Sequence, residues 1–236
     1  MNVYKPFFLT LFLFACFVLT GTPGPGYRID FSQARQCGKA VTGWTYRGKP
    51  GTVGSRFSVE KVDGKKVLVM SSRKGTGTLL YDLSKVDLKK YPYMRWKWRV
   101  DVYPVGADGR DPGKDDQAVA LYLGAGTPLF QHSCAFRWDT VTPKGSTGFV
   151  KYGLGTVKVY WTCLRNSTDG TGVWRIDECN AREVFRKMCK GKVPAERALT
   201  LSANSQYTGS SSRACLEYVE FYAEPLNHKK EKGKKK

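Results

Sequence analysis

Histidine is almost missing from this chain, with two residues in 236, His132 and His228. That scarcity removes most routes to imidazole catalysis and to histidine-rich metal sites. No Cys-x-x-Cys pair occurs, and neither histidine stands at a zinc-finger spacing. The serine-hydrolase elbow Gly-x-Ser-x-Gly, the Walker phosphate loop and the dinucleotide-binding glycine fingerprint are absent as well, which excludes those chemistries by their own motifs. Acidic residues are few beside basic ones, 20 against 39, giving a formal charge of +19. No apolar run is long enough for a membrane span, which needs about 20 residues.

The longest apolar run, Phe7 to Leu19, is broken only by Thr10 and follows the single cation Lys5. It leads into the small, turn-forming stretch TGTPGPG. Charged start, apolar middle and small-residue exit are the order of a secretory signal, so residues 1–22 are expected to leave on export to the periplasm or beyond. Leu13-Phe14-Ala15-Cys16 loosely resembles a lipid-attachment box, but Phe14 is bulky there and the apolar run continues past Cys16. Cleavage within Thr20 to Thr22 is the preferred reading. The far end, residues 227–236, is a lysine-rich tail expected to be disordered. Between them, residues 23–226 read as one domain.

Six cysteines then remain, Cys37, Cys134, Cys163, Cys179, Cys189 and Cys215. An even count in an exported chain predicts three disulfides, of pairing unknown from sequence. A body this basic is drawn to polyanions, here acidic polysaccharide, lipopolysaccharide or an anionic membrane surface. Export removes nucleic acid as a partner.

From Met94 to Val102 the even positions are apolar or aromatic and the odd ones charged, Arg95, Lys97, Arg99 and Asp101. That period of two is a half-buried strand. It predicts Trp96 and Trp98 in the core, and the alternation of Trp161 with Val157 and Val159 predicts that tryptophan in the core as well. Further strands are expected near Tyr27, Phe57, Lys66, Gly77, Gln117, Cys134, Val157, Val173, Ala198 and Cys215, separated by Gly, Pro, Asp and Asn. One helix is expected near 180–190, with Asn180 as its cap and Glu183 three residues on. Many short strands and one helix specify an all-β protein, an antiparallel β-sandwich of jelly-roll or galactose-binding-like form.

Three blocks resemble a known family. WKWRVDVYPVGADGRDPGKDDQAVALYL, Trp96 to Leu123, resembles the signature of an exported bacterial domain of unknown function, the family numbered 3047. Gly172-Val-Trp174 with the helix Asn180 to Lys190 resembles its later part, and LEYVEFY, Leu216 to Tyr222, its closing strand. The resemblance spans residues 28–223 and implies a β-sandwich, many of whose relatives are carbohydrate-binding modules; it implies no activity. One segment departs: where an acidic stretch is usual, this chain reads Ser202-Ala-Asn204-Ser-Gln206-Tyr207-Thr208-Gly209. A metal or acid at that position is thereby in doubt.

The candidate sites follow from side-chain chemistry. Asp108, Asp111, Asp115 and Asp116 crowd one loop and could bind calcium, which takes several oxygen ligands. Asp115 and Asp116 are neighbours and point apart on a strand. Trp44, Tyr46 and Tyr207 lie in glycine-rich or polar loops and are candidate sugar platforms. Arg95, Lys97 and Arg99 form a basic row suited to carboxylate or sulfate. His132 is the weak catalytic candidate. The reading is an exported, non-catalytic protein that binds an anionic glycan or associates with the envelope. Its alternatives are a polysaccharide lyase or hydrolase and a structural envelope protein without a specific ligand.

Overall fold

A computed structural model describes residues 24–126, 131–152 and 155–226. The expected signal, Cys16, His228 and the lysine-rich tail lie outside the described residues. In chain order the strands are β1 Tyr27–Asp30, β2 Gln36–Cys37, β3 Ala40–Val41, β4 Thr45–Gly48, β5 Val53–Gly54, β6 Arg56–Val62, β7 Lys65–Arg73 and β8 Gly75–Asp82. They continue as β9 Tyr93–Val102, β10 Gln117–Gly126, β11 Gln131–Trp138, β12 Thr147–Tyr152, β13 Val157–Arg165 and β14 Arg175–Asn180. Helix α1, Ala181–Met188, precedes β15 Arg197–Asn204 and β16 Ser211–Tyr222.

Two sheets face each other. One orders β14-β9-β16-β7-β6, with β1 added on β16; the other orders β12-β13-β11-β10-β15-β8-β4, with β5 added on β8. The architecture is the expected antiparallel sandwich except at β11–β13 and β5–β8, which run parallel. The alternation in β9 is realised: Met94, Trp96, Trp98 and Val100 are fully buried between the sheets. Trp96 meets Trp98 edge-on at 5.6 Å between ring centroids, and Trp98 meets Trp138 at 5.5 Å. Such edge contacts suit aromatic quadrupoles. The Trp98 indole donates to Asp177 Oδ2 at 2.7 Å, so its one polar atom is satisfied inside the core.

Asn180 caps α1 as its position predicts, its side chain accepting from the Glu183 amide at 3.0 Å. Phe185 is the helix's deepest anchor, fully buried in the core.

The expected disulfides do not form: all six cysteines are free. The period of two explains much of this. Cys163 faces a small cluster with Ala135, Val159 and Trp161 on the outer side of one sheet. Cys215 packs with Val67 and Val69 on the outer side of the other. The whole sandwich separates them. Cys37 is exposed on the β2–β3 hairpin, while Cys134, Cys179 and Cys189 pack against the core as thiols. Burial pushes the Cys179 thiol well up, and the nearby Cys134 adds to that.

Candidate functional site

The eight-stranded sheet has one face on the core and one open. Strands on the open face contribute every second residue to a cleft of about 630 Å³. β8 supplies Thr76 and Thr78, β15 supplies Thr200, Ser202 and Asn204, and β11 supplies Gln131, Ser133 and Arg137. Trp161 of β13, Tyr122 of β10, Tyr152 of β12 and Tyr207 of the loop after β15 give it aromatic surface. Arg47 and Lys49 stand at the β4 side. A second cavity of about 390 Å³ shares Arg47, Gln131, Ser133 and Thr200 and continues toward Asp82, Glu196 and Arg197. The two make one groove along the sheet.

Arg137 organises the bottom of the cleft. It is 3% exposed, donates through Nη1 to Asp115 Oδ1 at 2.6 Å and through Nε to Asp139 Oδ1 at 2.9 Å, and lies 4.9 Å from the Trp161 ring centroid. Burial opposes its charge, and the carboxylates of Asp139 and Asp115 overcome that, so its pKa is raised. Burial likewise pushes the Asp139 carboxyl up, against the pull of Arg137. Gly109 leaves room for this pair, since a Cβ there would come within 2.9 Å of the guanidinium carbon and the arginine would have to shift. Gly148 serves Trp161 in the same way, with 2.3 Å to the indole.

The Asp-rich loop is a scaffold for this cleft. Asp115 Oδ2 accepts from the Tyr152 hydroxyl at 3.3 Å. Asp116, fully buried, accepts from the Tyr207 amide at 3.2 Å and from the Thr208 amide and hydroxyl at 2.7 and 2.8 Å. The neighbouring carboxylates do point apart, one organising the arginine and Tyr152, the other holding the loop that presents Tyr207. Asp108 pairs with Arg110 at 2.6 Å, and Asp111 accepts from the Gly113 amide at 2.9 Å. The four carboxylates expected to share a calcium therefore have four separate duties. Among the described residues no three acidic, histidine or cysteine side chains gather for a metal.

The structure places other predicted residues away from the cleft. Trp44 is 8% exposed and packs on Phe31 and Tyr81 inside the core. The Tyr46 ring meets Phe57 edge-on and its hydroxyl fills the space above Gly54 and Gly77. Arg47, between Tyr46 and Gly48, is the β4 side chain that faces the cleft, because alternation turns it opposite to Tyr46. His132 is on the wrong parity of β11, behind the sheet from Gln131 and Ser133. Of the proposed platforms only Tyr207 lines the cleft, and Trp161, expected in the core, packs instead with Ala135, Val159 and Cys163 on the cleft side, because the parity of β13 turns it away from the other sheet.

The basic row is largely neutralised. On the outer face of the six-stranded sheet Arg95 pairs with Glu178 and stacks 3.8 Å from the Tyr222 ring centroid. Lys97 pairs with Glu217 at 2.7 Å, and Arg99 with Asp63 and Asp101 at 2.8 Å each. Asp101 stands in the row itself, but the partners on β14, β16 and the β6–β7 turn are distant in sequence, so the row alone could not reveal them. Sequence reasoning missed Arg47, Arg137, Tyr122 and Tyr152. Arg137 carried a signal, a cation inside the strand run Cys134 to Asp139.

Fold and site together define a β-sandwich with an open, aromatic-walled polar cleft on one sheet. The chain belongs to the family described as "Protein of unknown function (DUF3047)", whose model matches residues 42–220. No curated protein sequence matches it. Among solved structures it is similar to the family 11 carbohydrate-binding module of the cellulosomal cellulase Lic26A-Cel5E of Clostridium thermocellum, with a TM-score of 0.44 and 7% identity over 80% of this chain and 93% of that one. It is also similar to the CBM22-1 xylan-binding domain of Paenibacillus barcinonensis Xyn10C, with a TM-score of 0.37 and 12% identity over 84% and 95%. Endoglucanase 3 of Trichoderma harzianum, from family GH12, is a third, at 0.39 and 10% over 83% and 96%.

Proposed function

We propose that this is an exported protein that binds a carbohydrate chain in the cleft without transforming it, and that an acidic group on the chain meets Arg47 and Lys49. The observation that carries this is the composition of the cleft, hydroxyl and amide side chains on the floor with Trp161, Tyr122, Tyr152 and Tyr207 around them. Sugars present hydroxyls at their edges and C–H groups on their faces, so alternating polar and aromatic surface matches both. The continuation into the second cavity suits a chain better than a single ring.

Arg47 and Lys49 make no ion pair with any described residue, whereas Arg137 is already saturated by two carboxylates. The first two are therefore the cations free for an acidic substituent. Binding is favoured over hydrolysis because Asp115, the one carboxylate lining the larger cavity among the described residues, is already held by Arg137 and Tyr152, and the groove's other carboxylates, Asp82 and Glu196, line the second cavity. Glycoside hydrolysis ordinarily needs two facing acids. Removal of residues 1–22 on export and an envelope location are part of the same reading.

Calorimetric titration with acidic and neutral polysaccharides tests it. Tyr207→Ala should weaken binding about tenfold, about 1.4 kcal/mol. Arg47→Ala should reduce the preference for acidic over neutral chains, with neutral binding unchanged. Binding to no polysaccharide, or equal binding by wild type and Tyr207→Ala, would overturn the proposal.

A further inference from the structure

The hairpin of β12 and β13 carries the cleft on one face only. Gly148, Val150 and Tyr152 pair across it with Trp161, Val159 and Val157, all turned to the cleft side. The alternate residues turn to the back. There the six-stranded sheet and α1 leave Phe149 44% and Tyr160 50% exposed. Register sets these back-face residues in two adjacent rows. Phe149 lies opposite Tyr160, which lies beside Cys134 of β11; Lys151 lies opposite Lys158, which lies beside His132.

One row is aromatic and the next is basic. The two rings contact each other at 4.6 Å between centroids, and the Lys151 ammonium is 5.7 Å from the Phe149 ring centroid. Neither lysine forms an ion pair with a described residue. This contrasts with Arg95, Lys97 and Arg99, each of which meets a carboxylate on its own sheet face. Two contacting, half-exposed aromatic rings form an apolar patch of the kind that marks interaction sites, and the unpaired lysines beside it add a cationic edge.

We infer that the back of this hairpin is a second binding surface, for an acidic polysaccharide segment that lies across the strands. A sugar ring would rest on Phe149 and Tyr160 while its carboxylate or sulfate meets Lys151 and Lys158, and His132 borders the same basic row. Charge complementarity selects an anion, since no acidic side chain belongs to either row. The placement selects a polymer over a lipid surface: the rings lie within paired strands and do not project from a loop tip. Three strands at about 4.8 Å spacing offer a row roughly 10 Å long. The cleft and this surface occupy opposite faces of one hairpin, so the protein would hold two chains, or two parts of one chain.

Affinity electrophoresis of the full chain in gels containing polygalacturonate or heparin tests this. Phe149→Ala/Tyr160→Ala and Lys151→Gln/Lys158→Gln should each weaken retardation about tenfold in a protein whose cleft is already disabled by Tyr207→Ala and Arg47→Ala. The lysine pair should also remove most of the salt dependence. All these side chains are at the surface, and unchanged thermal melts confirm folding. Retardation unaffected by either back-face pair overturns the inference and leaves the cleft reading standing. Sedimentation with phosphatidylglycerol vesicles that depends on these residues, without polysaccharide binding, overturns it in favour of a membrane. Retardation that the cleft substitutions leave unchanged while the back-face pairs still weaken it would overturn the cleft reading alone.

Discussion

Arg137 sits with its full charge at the bottom of the cleft, and its cost of burial is offset by two carboxylates and an indole face. Removing one partner of such a set leaves the others uncompensated. Arg137→Ala should therefore destabilise the protein by about 3–5 kcal/mol, read by urea denaturation. Asp108 makes a milder, pH-dependent contribution. The side chain of Arg110, assisted by its amide, holds the Asp108 carboxyl down at about 2. Its unfolded value is about 3.9, so the stabilisation is present above about pH 4 and is lost as the pH falls through the folded value. Urea melts should show Asp108→Asn less stable than wild type at pH 6, with the difference gone near pH 2. A constant difference would show that the pairing is not what Asp108 contributes. The position of Tyr207 has a similarly local cause, three hydrogen bonds to Asp116.

At the scale of elements, the predicted strands were those whose alternation is complete. β9 and β16 carry uninterrupted apolar faces and could be read directly. The short pieces β2, β3, β4 and β5 were not among the predicted strands, because so few residues beside glycine and proline show little of a period. β12, Thr-Gly-Phe-Val-Lys-Tyr, was missed for another reason: exposed on its back, with glycine under Trp161 on its front, it has no apolar face to show. That strand nonetheless supplies Tyr152 to the cleft and Phe149 and Lys151 to the opposite surface. Helix α1 was legible through its cap, since Asn180 precedes Glu183 at the right interval. Asn180→Ala should cost about 1 kcal/mol, because the Glu183 amide would lose its acceptor. A thermal melt checks this, and an unchanged midpoint would show the cap to be redundant.

At the scale of the whole molecule, the charge excess divides according to where acids are available. On the six-stranded sheet Arg28, Arg95, Lys97 and Arg99 are matched by Glu220, Glu178, Glu217, Asp63 and Asp101. On the eight-stranded sheet Arg47 and Lys49 in front and Lys151 and Lys158 behind have no such partners. Net charge counts them all alike, so composition indicated attraction to polyanions without locating it. The row that looked basic in sequence is the paired one, whereas the unpaired cations of the cleft and of the β12–β13 hairpin lie far apart in the chain, at Arg47, Lys49, Lys151 and Lys158. The amino-acid sequence by itself determined the β-sandwich, its tryptophan core and the helix cap, because each depends on periodicity or spacing between near neighbours. Only the tertiary structure decided that the six cysteines stay free thiols, that Trp44 is buried, that Asp115 and Arg137 meet and that a cleft exists. Those depend on which strands lie side by side, and pairings between distant segments leave no mark in the local order of residues.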